Sequence, residues 1–146
     1  MVNEPMIPEL DSGEHNTVLY AWSVAEGLGF PDMANDIMLW MFENKMTFRL
    51  VNAHWLEKLV VPNSPLWFYY IDTIAIRYWD VEKGRMSADF VEDAGREMSG
   101  VEWSARIQFM DEVYFNAPTL RGGWGMMDIK DYLLSNVYEM CVCKQI

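Results

Sequence analysis

Over residues 17–27 the apolar side chains Val18, Leu19, Trp22 and Ala25 recur at the spacing of one helix face. Asn16 or Thr17 stands where such a helix would be capped, and Gly27 or Gly29 where it would end. Pro31 then opens a second helical pattern, "PDMANDIMLWMFENK", at the position where a missing N–H costs nothing. At about 100° per residue, Asp36 lies about 40° and Glu43 about 20° from Asp32, so the three carboxylates form one stripe with Leu39 inside it. Along the axis Asp32 and Asp36 stand about 6 Å apart, with Glu43 about 10 Å further on. Met33, Ala34, Ile37, Trp40 and Met41 cover much of the opposite side. Together the two patterns predict a helical hairpin.

The rest of the chain is patterned differently. "MTFRLV" reads as a short strand or as a connection into the helical-looking "NAHWLEKLV". Pro62, Asn63, Ser64 and Pro65 make a firm break. The aromatic run over 66–81 would be unusually long as one strand, which predicts a helix or bend first and a strand over 73–81. A two-residue turn at Lys83 and Gly84 would face Glu82 with Arg85 and put Trp79, Val81, Met86, Ala88 and Phe90 on one side of a hairpin. A helix over 87–98, with Phe90, Val91, Ala94 and Met98 on one face, competes for the same residues.

In "VEWSARIQF", Val101, Trp103, Ala105, Ile107 and Phe109 alternate strictly with polar residues, which predicts a half-buried antiparallel strand over 101–109. "EVYFN" continues it or supplies the next strand. A loop with Pro118 and "RGGWG" follows, and Asp128 is placed to cap a last helix with Ile129, Tyr132, Leu133 and Val137 facing in. The predicted fold class is α+β: an N-terminal helical hairpin, a small antiparallel β-sheet and a C-terminal helix. Residues 1–13, punctuated by Pro5, Pro8 and Gly13, read as an extended acidic arm, and 14–146 as one globular domain.

Composition supports folding. The 146 residues are 51% hydrophobic and 14% aromatic, unlike disordered chains, and can bury a sizeable core. No apolar run reaches the roughly 18 residues of a membrane helix, and the acidic, proline-broken start does not resemble a targeting peptide. Cys141 and Cys143 are the only cysteines, too few for a disulfide framework, which points to a reducing cytoplasm.

Charge changes the picture most. Net charge is −11, yet residues 1–44 contain eight acids and no Lys or Arg, while the remaining 102 residues hold 14 acids and 11 bases. A nearly balanced body thus carries an acidic front. Direct nucleic-acid binding is not expected, since phosphate neutralisation needs clustered Lys and Arg.

Catalytic and metal-binding patterns are weak. Cys141 and Cys143 offer two soft ligands where a closed zinc site needs four. His15, beside Glu14, reads as solvated, and His54, beside Trp55, as structural. No GxSxG, P-loop or HExxH occurs. Asp72, in "WFYYIDTIAI", is the best candidate for an unusual carboxylate, because burial would raise its pKa; the alternative is a cap or bend through Thr73, or a pair with an Arg. Trp124 in "RGGWG" would suit stacking on a partner, or folds back onto the core.

These features point to a small acidic interaction module, an inhibitor or modulator binding a basic surface of another macromolecule, without a cofactor. Asp32, Asp36, Leu39, Glu43 and Trp124 are the expected partner-binding residues. A phage-type protein that blocks a host enzyme or defence system, in some cases by imitating DNA, has this general character. A protein that sequesters a small molecule or nucleotide is the alternative, and a carboxylate-based enzyme comes third.

Overall fold

A computed structural model describes residues 12–50, 63–120 and 122–134. Among them are five α-helices and one two-stranded antiparallel sheet, an α+β arrangement. Helix α1 (Ser12–Gly27) and helix α2 (Pro31–Glu43) form the N-terminal hairpin. Phe30 N–H donates to the Ala25 carbonyl at 2.9 Å and Gly29 N–H to that of Glu26 at 3.1 Å, a Schellman ending that needs the left-handed Gly29, at φ 80°. Ser12 and Gly13 already belong to α1, residues 1–11 lie outside the described residues, and so does "NAHWLEKLV" with His54.

Helix α3 (Pro65–Tyr78) is the centre of the molecule. The break before it is a start signal: Asn63 is left-handed, the Ser64 hydroxyl accepts from Trp67 N–H at 3.2 Å, and Pro65 occupies the first turn. Leu66, Trp67, Tyr69, Tyr70, Ile71, Ile74, Ala75 and Ile76 are buried around nearly its whole circumference, as in a helix packed on all sides. This corrects the strand expected over 73–81. Only Trp79–Asp80 (β1) is extended, and it pairs with Arg85–Met86 (β2).

The hairpin register also differs by two residues. Trp79 faces Met86 and Asp80 faces Arg85, closing a four-residue loop. Asp80 holds that loop, its side chain accepting from Lys83 N–H at 3.1 Å and its carbonyl from Gly84 N–H at 2.9 Å, with Gly84 at φ 63°. Val81 is accordingly exposed. The competing helix then follows as α4 (Asp89–Glu97), burying Phe90 and Ala94 with Met98 just beyond.

The strand expected over 101–109 is instead a bend at Val101 followed, from Trp103 on, by helix α5 (Trp103–Asn116). Trp103 is 65% exposed and Ile107 38%, whereas Phe109, Val113, Ala117 and Leu120 are buried. That 4-4-3 spacing is helical, running from α5 into the 3-10 turn Ala117–Leu120, and the alternation over 101–109 is a coincidence. With two-residue strands the sheet offers no long partner for another strand. Trp67 Nε1–H donates to Glu112 at 3.0 Å and fixes α5 against α3.

At the C-terminal end, the Asp128 side chain accepts from Lys130 N–H at 3.0 Å and caps a short 3-10 turn, Ile129–Tyr132. Leu133 is extended after it, so the expected last helix is a single turn among the described residues, and Val137 lies outside them.

Candidate functional site

The inner face of α2 is Ala34, Met38 and Met41, all buried. These positions lie opposite Asp32, Asp36 and Glu43, which are exposed along with Leu39 at 44%. The acidic stripe is therefore the outer edge of the hairpin. Met33 was expected on the covered side. It is 55% exposed, because the buried face centres on Met38 and leaves Met33 on its flank.

That flank is not flat. Met33, Ile37 and Trp40 of α2 and Thr17, Val18 and Ala21 of α1 line an open groove of about 400 Å³, with Asp36 on its border. Around α2, Met33, Trp40 and Ile37 lie about 80–140° from Asp32, next to the stripe at 0–40°. Asp36 thus brings the stripe to the edge of an apolar groove, with Asp32 and Glu43 further along the same outer side of α2. Sequence reasoning found the stripe and missed the groove, since the α1 wall comes from a separate helix and is brought against α2 only by the hairpin. The signal was present in Val18 and Ala21, which share a flank on α1.

His15 is fully buried, which corrects the solvated reading. Because α1 begins at Ser12, His15 falls four residues before Leu19 on the inner face. Its Nε2 is 2.9 Å from the Thr47 hydroxyl, and its ring packs against Trp40 and Phe48 at centroid distances of 5.8 and 5.3 Å. This histidine sets the seat of Trp40, one wall of the groove.

Trp124 is half-buried against the core, with the Arg77 guanidinium carbon 5.9 Å from its ring centroid. It does not line the groove, so the structure brings Asp36 to the groove border, leaves Asp32, Leu39 and Glu43 along the same outer edge, and sets Trp124 on α3.

Asp72 is half-buried in the middle of α3, and the Tyr132 hydroxyl donates to its Oδ2 at 2.5 Å. Neither Thr73 nor an arginine partners this carboxyl. The Thr73 hydroxyl turns back to the carbonyls of Tyr69 and Tyr70, and the partner is a tyrosine, not an arginine. Burial pushes the Asp72 carboxyl up to about 6; the Tyr132 hydrogen bond pulls the other way, and the charge of Asp131 adds to the rise. Burial, and then the charge of Asp72, raises the Tyr132 phenol, which keeps it a donor. A carboxyl poised near 6 exchanges its proton close to neutral pH. Here it also clamps the C-terminal turn to the central helix.

Among the described residues, no group of three or more His, Cys, Asp and Glu is arranged to hold a metal ion, and no helix is long and apolar enough to cross a membrane. Cys141 and Cys143 lie outside them. No protein-family model, curated protein or solved structure matches this chain.

Proposed function

We propose that the α1–α2 hairpin is a docking surface for a basic segment of another protein, and that the protein acts by masking that segment. The observation that carries this reading is the apolar groove with Asp36 on its border and Asp32 and Glu43 exposed on the same outer edge of α2. The complementary ligand is an amphipathic helix: an apolar anchor fills the space between Met33, Ile37 and Val18, and Lys or Arg on its flank meets the carboxylates. Apolar contact supplies affinity, and the acidic row supplies orientation and encounter rate.

The charge distribution supports the same partner. Residues 1–44 hold eight acids and no Lys or Arg, which favours a cationic partner and repels nucleic acid. Where the masked segment ordinarily contacts phosphates, the masking takes the form of DNA imitation. The small cysteine count fits a cytoplasmic setting.

Affinity capture from a lysate tests the reading, with native protein compared against a variant carrying Asp32→Asn, Asp36→Asn and Glu43→Gln. Recovery of a basic protein by the native chain alone is the expected result. Equal recovery by both removes the stripe from the function.

A further inference from the structure

Helix α5 buries one face and leaves a second apolar face open. Phe109 and Val113 pack inward, whereas Trp103, Ile107 and Tyr114, the last 43% exposed, reach solvent, with Met110 half-buried among them. At about 100° per residue these four outer side chains fall within about 60° of one another and run about 16 Å along the axis. Their spacing of four, three and four is that of alternating d and a positions in a coiled-coil seam. The Tyr114 ring leans on Phe90 of α4 at a centroid distance of 5.4 Å, which holds that end of the row in place. Single exposed apolar residues are ordinary, but a contiguous row marks a contact surface.

The charges beside the row decide what fits it. Arg106 lies on one flank and Asp111 on the other, each about 70° from the middle of the row. In a heptad they take a g position and the e position five residues later. When two copies of a helix pack in parallel about a twofold axis, g of one meets that e of the other, so Arg106 meets Asp111 of the second copy, twice. An antiparallel pair sets like flanks together and gains neither contact. The Arg106 guanidinium carbon is 4.6 Å from the Trp103 ring centroid, and one terminal nitrogen donates to the Met98 carbonyl at 3.4 Å. Among the described residues it has no carboxylate within ion-pair distance, so most of its five donors are left for one. Helix α5 carries one base and two acids, and Glu112 already accepts from Trp67. A strongly charged partner therefore meets no uniform field here, unlike at the α1–α2 edge.

We propose that α5 is a self-association face: two copies of the chain pack their Trp103–Tyr114 rows in parallel about a twofold axis, flanked by two Arg106–Asp111 ion pairs. The buried face of α5 lies about 110° from the row, so the twofold places the two domains on opposite sides of the helix pair. A stable interface buries about 800 Å² per partner, and a row of four side chains supplies roughly half of that. The dimer is accordingly reversible, with a dissociation constant on the order of 10–100 µM. It is independent of the groove, which lies on the α1–α2 hairpin.

The test is sedimentation equilibrium of the full chain from about 5 to 500 µM, where a monomer–dimer equilibrium is expected. Ile107→Asp and Asp111→Arg, both at exposed positions, should each weaken dimerisation at least tenfold while leaving the helical circular dichroism of the monomer unchanged. The double variant Arg106→Glu with Asp111→Arg exchanges the two charges and should return dimerisation to within about threefold of the native chain. A chain that stays monomeric throughout the range, or a dimer unaltered by both Ile107→Asp and Asp111→Arg, overturns the proposal. A dimer lost in Asp111→Arg and not recovered in the double variant overturns the parallel pairing.

Discussion

The hydroxyl of Tyr132 donates a 2.5 Å hydrogen bond to Asp72, sixty residues earlier in the chain, and so ties the short C-terminal turn to the central helix. The bond joins a carboxyl pushed up to about 6 to a phenol that stays protonated. This pair makes stability depend on pH with a definite sign.

Because burial raises the folded pKa of Asp72 above its ordinary 3.8, the fold favours the neutral acid. Below about pH 4 the group is neutral whether folded or not, and its contribution is fully present. As pH rises toward and through 6, ionisation of the unfolded chain and then of the native state removes it. Asp72→Asn should therefore be more stable than the native chain by about 2 kcal/mol at pH 7.5, with the difference vanishing near pH 4. Chemical denaturation at four pH values across that range measures it.

Tyr132→Phe takes the donor from an ionised, half-buried carboxylate at pH 7.5, where the loss should be about 2 kcal/mol. In an Asp72→Asn background the same change should cost about 1 kcal/mol less, since no buried charge is left behind. A double-mutant cycle by urea denaturation gives the coupling.

Asn35 on α2 holds Leu134 twice: its amide donates to the Leu134 carbonyl at 3.0 Å, and its oxygen accepts from Leu134 N–H at 2.7 Å. Asn35→Ala should cost about 1–2 kcal/mol and release the Leu134 amide to hydrogen exchange, while the amides of α3 keep their protection.

Helix α5 gives a contrast between two residues that alternation would bury equally. Phe109→Ala should destabilise by about 3–4 kcal/mol, and Ile107→Ala by less than about 1 kcal/mol, because only Phe109 is fully buried. Comparable losses would mean that α5 does not present the face described.

What the chain revealed in advance was local. The α1–α2 hairpin was legible because its signals, Pro31, Gly29 and two apolar stripes, lie within a few residues of the backbone they shape. So was the acidic stripe. Helix α5 was misread because nine residues of alternation matched a strand, and only a window reaching Leu120 reveals Phe109, Val113 and Ala117 on one face. The aromatic run before Tyr78 carried no period because α3 is buried on nearly every side, which erases the polar face that marks a helix. Asp72 stood out in an apolar run, but its partner Tyr132 is supplied by tertiary packing. The same holds for His15 against Thr47.

The central claim, that the hairpin groove docks a basic amphipathic helix, is tested most directly by following Trp40 in the groove wall. The probe is a synthetic helical peptide with a leucine face and flanking lysines, titrated at about 50 and 500 mM salt. The emission change should saturate at low salt, weaken at least tenfold at high salt, and be lost in Met33→Asp, whose folding should be unchanged at that exposed position. Affinity that is equal at both salt concentrations, or unaltered by Met33→Asp, would contradict the account.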